Sequence, residues 1–219
     1  MYQPSHFKEE RFDLLRGLID AHPLGALVTL AAGGIDANHI PFLLDPEPSP
    51  HGTLRAHVAR ANVVWRQLPG DAEALVIFQG PQRYITPSWY PRKQQSGKVV
   101  PTWNYLLVHA YGRPRAIEDR EWLRQFVTRL TDRFEGARPA PWKVSDAPAD
   151  YVDAQLGAIV GIEIPVTRLI GKWKVSQNQP AADREGVVRG LRESGHPADA
   201  EMADWVASAT RPSRPAPSD

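Results

Sequence analysis

The run PTWNYLLVHAYGRPRAI (101–117) decides the fold class of this chain. It reads as a long strand or a pair of strands, with Gly112 and Pro114 marking a bulge or an edge. Toward the N-terminus, EALVIFQG (73–80) reads as a buried strand ending at Gly80–Pro81, and TLRAHVA (53–59) alternates as a strand does. NVVWRQL (62–68) has room for one or two helical turns. GALVTL (25–30) and IDANHIPFLL (35–44) form a hairpin around Gly33–Gly34, which supply the positive-φ residues of the turn. A first helix is expected from Phe7 to Ala21, with Phe12, Leu15 and Ile19 on one face, Ser5 as N-cap and Pro23 as the stop.

Toward the C-terminus, Asp119 caps an amphipathic helix to Glu135, and a short helix follows at 149–156. IVGIEIPVTRLIGKWKV (159–175) is strand-like with a break at Pro165, and two helices are expected at 183–193 and 198–209. Six or seven short strands with flanking helices predict a mainly β chain, a small antiparallel barrel decorated by helices. Neither G-x-G-x-x-G nor G-x-x-x-x-G-K-[ST] occurs, which excludes an ordinary α/β nucleotide fold. The expected organisation is a barrel domain over 1–178, a helical extension over 179–210 and a disordered tail over 211–219.

The 219 residues include 26 Lys or Arg, 25 Asp or Glu, 21 Pro and no Cys. Without cysteine there is no disulfide scaffold, thiolate metal site or thiol nucleophile. The seven histidines show no H-x-x-x-H or H-E-x-x-H spacing and no G-x-S-x-G elbow occurs, so metal and Ser-His-Asp chemistry are not expected. No window approaches 18 uninterrupted apolar residues and the start lacks a signal-like apolar region, so a soluble cytoplasmic protein is expected. Prolines spread through the whole chain suit short strands and turns better than a helical bundle.

Charge is unevenly placed. The stretches 52–70, 74–117 and 164–182 contain twelve Lys or Arg and no Asp or Glu. One reading is a concave anion site from which carboxylates are kept out; the other is that half-buried β segments disfavour acids. A DNA-binding domain would show a more basic balance or a helix lined with bases, and neither is present.

Four segments are candidate sites. In HVARANVVW (57–65), His57, Arg60 and Asn62 stand where a strand meets a helical turn, a place where free N–H groups and an Arg can hold a phosphate; a solvated Arg and a core His fit the same spacing. In FQGPQRYITPSWY (78–90), Tyr84, Thr86, Ser88, Trp89 and Tyr90 beside Arg83 suit a planar ligand with a phosphate tail, or else a Pro-rich loop anchored by its aromatics. In VPTWNYLLVHAYG (100–112), Asn104 is out of place inside a strand, where its amide could meet a heteroaromatic edge, unless it simply starts the strand. In GKWKVSQN (171–178), Lys172 and Lys174 point one way and Trp173 the other. Ser176, Gln177 and Asn178 then either cap the next helix or bind an anion.

Taken together, MYQPSHF, HVARANVVW, ITPSWY, VPTWNYLLVHAYG and GKWKVSQNQPAADREGVVRGL resemble the PaiB-type FMN-binding negative transcriptional regulators, over about residues 1–208. The resemblance implies a split β-barrel of the FMN-binding type with C-terminal helices, a homodimer, and FMN at the subunit interface. It puts the flavin phosphate near His57, Arg60 and Asn62, and the ring along Tyr84, Ile85 and Thr86 and along Thr102, Trp103 and Asn104. Lys172, Gln177 and Asn178 are implied contributors. Val63 stands where the family pattern has proline, a departure that weakens the phosphate assignment. The implied function is an FMN-binding regulator; the alternative is an FMN-dependent oxidoreductase using a nicotinamide nucleotide as reductant. Direct DNA binding has no support, since no helix-turn-helix is evident and the last helix is acidic.

Overall fold

Alternation of buried and open side chains sets the strands, and the computed structural model describes them for residues 1–31, 33–68, 70 and 72–209. In chain order the elements are β1 (Lys8–Glu9), α1 (Phe12–Ala21), β2 (Leu24–Ala31), β3 (Gly34–Pro41), β4 (Leu43–Asp45), β5 (Thr53–Ala59), β6 (Ala74–Ile85), α2 (Arg92–Ser96), β7 (Thr102–Gly112), β8 (Arg115–Ile117), α3 (Arg120–Glu135), α4 (Ala149–Gly157), β9 (Ile159–Lys174), α5 (Ala181–Glu193) and α6 (Pro197–Ser208). The hydrogen-bonded strand order is β3-β2-β6-β7-β9-β5-β4, and β1 and β8 each pair with β9. The pairs β1–β9, β2–β3, β2–β6, β4–β5, β5–β9 and β8–β9 are antiparallel. The mainly antiparallel sheet with flanking and C-terminal helices is the expected fold class.

The chain divides into two compact units. Unit 1 holds Met1–Leu15, Gln79–Val108 and the residues from Ile170 onward; unit 2 holds Arg16–Phe78 and His109–Leu169. Strands β6, β7 and β9 contribute residues to both. The expected boundary after residue 178 falls inside unit 1, where α5 is tied to the segment after β6. A Cβ on Gly186 would meet the Trp89 carbonyl oxygen at 2.0 Å, and one on Gly190 would meet the Trp89 ring at 2.4 Å. The tail expected over 211–219 lies outside the described residues.

In unit 2 the hairpin β2–β3 pairs from Leu24↔Pro41 to Ala31↔Gly34, with Gly34 at φ 107. Strand β5 pairs with β9 from Thr53↔Pro165 to Ala59↔Ile159. Leu54, Ala56, Val58, Val160, Ile162 and Ile164 turn into the core of this unit.

Four local expectations change. The strand expected over 35–44 ends at Pro41, and Leu43–Asp45 is a separate strand that pairs with β5. Helix α1 begins at Phe12 instead of Phe7, because Lys8 and Glu9 pair with Lys172 and Gly171 of β9. The Glu9 carboxylate then accepts the backbone N–H groups of Glu10 and Arg11, just before the helix. Strand β6 does not end at Gly80–Pro81 but continues to Ile85. Strand β9 is not broken at Pro165. That residue, which has no N–H to give, stands at the last pair with β5, and the Val166 N–H donates onward to the Gly52 carbonyl.

Candidate functional site

In unit 1, β7 places Asn104, Leu106 and Val108 in the core, while Trp103, Tyr105 and Leu107 lie on its other face. Trp103 and Tyr84 are each about half exposed, and their rings meet edge to face at 6.0 Å. Trp89 and Tyr90, by contrast, are taken up by the packing against α5, and burial first, then the charge of Asp183, pushes the Tyr90 hydroxyl upward. The open aromatic surface therefore comes from Tyr84 and Trp103. Ile85, next in the strand, is fully buried, so only its backbone could meet a ligand. Thr86 caps the turn Pro87–Trp89, its hydroxyl accepting the Ser88 N–H at 3.3 Å.

Alternation on β9 brings Lys172 and Lys174 to one face. Lys172 is only 7% exposed; its Nζ donates to the Tyr2 carbonyl oxygen at 2.9 Å and stands 5.3 Å from the Tyr105 ring centre and 5.7 Å from that of Tyr2. Lys174 donates to the Thr102 hydroxyl and lies 5.9 Å from the same Tyr105 ring. Among the described residues, neither lysine has a carboxylate partner. Burial pushes the Lys174 ammonium below its usual value; Tyr105 opposes that shift and the Lys172 charge adds to it. A buried cation whose partners are carbonyl, hydroxyl and ring faces is poorly compensated, and an anion would complete it.

The neighbouring amides are already engaged. Asn104 donates to the Ser176 hydroxyl at 2.9 Å, with both residues buried and Ser176 at φ 63. The Gln177 oxygen accepts the Val175 N–H at 2.8 Å, and its amide donates to the Trp173 carbonyl at 2.5 Å. Both residues shape the exit of β9, and Asn178 beyond them is exposed.

The other expected group lies in unit 2. The Arg60 guanidinium donates to the Gly157 carbonyl at the end of α4, to the Ile159 carbonyl and to Glu118. Asn62 accepts the Val64 N–H at 2.9 Å as a cap and donates to Asn38. His57 packs edge to face on Phe126 at 5.7 Å, and burial pushes its imidazole below the usual value. Arg60 and Asn62 have partners within the protein, while the buried Nδ1 of His57 has none among the described residues.

The stretches without acids in sequence are not without acids in space. Arg55 and Arg115 meet Glu163, Arg55 also meets Asp45, Arg60 meets Glu118, Arg83 meets Asp199, Arg92 meets Asp183, and Arg168 meets Glu73. Arg66, Lys93, Lys98 and Arg113 have no carboxylate partner among the described residues but are exposed; Lys172 and Lys174 differ in lacking one while buried or half-buried. Tyr105 and Tyr2, which flank them, were not singled out by sequence reading; the period of two along β7 puts Tyr105 on the Trp103 face and was the available signal. Among the described residues there is no cluster of three or more His, Asp or Glu suited to a metal, and no helix is long and apolar enough to cross a membrane.

These residues fit a flavin nucleotide in kind: two cations without countercharge, a hydroxyl, and open aromatic faces. A family profile described as "Putative FMN-binding domain" matches residues 1–168. The protease synthase and sporulation protein PAI 2 of Bacillus subtilis is 31% identical over 206 residues, covering 94% of this chain and 96% of that protein. Among solved structures, the conserved hypothetical protein Rv2991 of Mycobacterium tuberculosis superposes with a TM-score of 0.57 at 13% identity, covering 82% of this chain and 94% of that one. An FAD and heme binding protein of Mycobacterium smegmatis gives 0.55 at 18% identity, covering 75% and 71%. The chain belongs to the FMN-binding family of the matched profile, and its fold is the split barrel of flavin-binding proteins.

Proposed function

We propose that this chain is an FMN-binding regulator of the PaiB type that works as a homodimer and holds flavin through unit 1. The observation that carries the reading is Lys172: a cation only 7% exposed, beside Lys174, with no carboxylate among the described residues. Lys172, Lys174 and the Thr102 hydroxyl would hold the anionic part of the nucleotide, and Tyr84 and Trp103 offer faces to its ring. Arg60 is assigned to holding the end of α4 instead of the phosphate, since its guanidinium is engaged by Glu118 and two carbonyls. Bound FMN would supply one- or two-electron redox chemistry; the protein supplies binding, orientation and charge.

The dimer is supported by an apolar sheet face in unit 2. Leu24 and Leu30 of β2 are exposed, Leu30 pairs across the hairpin with the exposed Ile35, and Ala26 and Val28 lie beside Ile77 and Leu75 on the same face. A contiguous apolar surface of this kind marks an interaction site. Regulation through direct DNA contact is disfavoured, because α6 presents Asp199, Glu201 and Asp204, with Asp199 and Asp204 already paired to Arg83 and Arg192.

FMN titrated into the purified protein should lose fluorescence on binding, with saturation at one flavin per chain, and sedimentation should show a dimer. A protein that leaves FMN fluorescence unchanged would overturn the assignment. Oxidation of NADPH no faster than with free FMN separates the regulator from the oxidoreductase. A salt-dependent gel shift on the operon's upstream DNA would reinstate direct binding.

A further inference from the structure

The opening motif MYQPSHF belongs to unit 1 and runs beside β9, over the cation on which the flavin assignment rests. Its far end is anchored, since Phe7 is buried and Lys8 and Glu9 pair with Lys172 and Gly171. Its near end is not. Among the described residues, Met1, Tyr2 and Gln3 make no backbone–backbone hydrogen bond. Two hydrogen bonds hold them, both to β9: the Gln3 amide donates to the Gly171 carbonyl, and the Tyr2 carbonyl accepts from Lys172 Nζ at 2.9 Å. The Tyr2 ring is 84% exposed, so burial adds little to the hold. A segment tied by so few contacts opens at low cost.

Lys172 Nζ is enclosed by that carbonyl, by the Tyr105 ring at 5.3 Å and by the Tyr2 ring at 5.7 Å, both close enough for a cation to be held by the ring face. Only 7% of the residue is exposed. A phosphate that pairs with this ammonium must approach to about 2.7–2.9 Å, which requires one of the enclosing groups to give way. Tyr105 is fixed in β7, between β6 and β9 in the sheet. Tyr2 lies outside any strand or helix. The group that yields is Tyr2.

We infer that Met1–Gln3 form a strap that covers Lys172 and is displaced when the flavin phosphate takes the place of the Tyr2 carbonyl. The strap rests on the proposed flavin function and adds a control to it: strap and ligand compete for one ammonium. Each contact that closes the strap lowers the apparent affinity for the ligand in proportion to the fraction of chains left open. Loosening the strap therefore tightens binding. A Tyr2 ring that served to stack on the flavin would give the opposite sign.

The test uses the full 219-residue chain and two readouts: acetylation of lysines by N-hydroxysuccinimidyl acetate, followed by mass spectrometry, and FMN titration followed by fluorescence. Exposed Lys98, also in unit 1, is the internal standard. In flavin-free wild type, Lys172 should label more slowly than Lys98. Gln3→Ala, which removes the tie to Gly171, should raise Lys172 labelling relative to Lys98 by ~threefold or more and FMN affinity by a similar factor. Tyr2→Ala should raise Lys172 labelling likewise, and saturating FMN should suppress it in all three proteins. Unchanged Lys172 labelling in both variants overturns the inference, as does an FMN affinity of Gln3→Ala equal to or below that of the wild type. An FMN titration that stays flat in the wild type breaks the flavin assignment instead, and labelling of the flavin-free variants still decides whether the strap covers Lys172.

Discussion

Lys172 and Lys174 in unit 1 and Arg55 and Arg115 in unit 2 all come from stretches of chain that lack acids, and they end in opposite surroundings. Arg55 and Arg115 converge on Glu163, a carboxylate buried in β9, at 2.8 and 2.9 Å, and Arg55 shares Asp45 with Arg129 of α3. That network joins α3, β4, β5, β8 and β9 and is complete within the protein. The lysines gather around Tyr105 with a carbonyl and a hydroxyl as their oxygen partners. One region uses charge to hold elements together; the other leaves two cations without a carboxylate among the described residues, where the proposed function places the flavin. A cation that is both buried and lacking a countercharge is the mark that separates them, and sequence proximity to acids is not.

The comparison breaks if removing charge has the same effect in both regions. The largest effect is expected for Glu163→Ala, which leaves two arginines facing a buried gap. It should cost about 3 kcal/mol, less than a fully buried pair because Arg115 is largely exposed. In a chain of this length that is roughly 6–12 °C in thermal unfolding. The same carboxyl gives the pH dependence. Burial alone would raise its pKa, but hydrogen bonds and charge from Arg55 and Arg115 outweigh burial and lower it. Its contribution is therefore fully present above the unfolded value of roughly 4.3 and is lost as pH falls through the lower folded value. Urea unfolding at successive pH values below about 4.3 should show wild type losing more stability than Glu163→Gln; parallel profiles would remove the network from the account.

Lys172→Met should act in the other direction. Replacing a buried cation by an apolar chain of similar length is expected to leave thermal stability unchanged or raised, while FMN affinity, read by fluorescence titration, falls about tenfold or more through loss of a charged contact. A destabilised variant with unaltered affinity would make Lys172 a structural residue like Arg55. The smallest effect is expected for Arg60→Met. A half-exposed arginine on Glu118 and the carbonyls at the end of α4 should contribute about 1 kcal/mol, and FMN affinity should stay within twofold. A tenfold loss there would return the phosphate to unit 2.

Much of the site was legible where its signal is local. The alternation in GKWKV already separates Lys172 and Lys174 from Trp173, and Gly33–Gly34 marks the hairpin turn. The oddity of Asn104 was legible, but its hydrogen-bond partner Ser176, 72 positions away, was not. The internal partners of Arg60 and Asn62 were hidden in the same way, since Gly157 and Asn38 are distant in sequence. The late start of α1 escaped because Phe7 to Ala21 carries a helical apolar pattern throughout; what unwinds its first turn is the pairing of Lys8 and Glu9 with β9.

Sequence alone determined the class of fold, most of the elements and the family, because periodicity, turn residues and motif order act over a few positions and survive any arrangement of the rest. Tertiary structure alone decided which bases are neutralised. Arg55 and Glu163 are 108 residues apart and become neighbours only when β5 pairs with β9. Coulomb energy depends on distance and burial in space, so no count of charges along the chain could separate an arginine that ties strands together from a buried lysine without a carboxylate beside it.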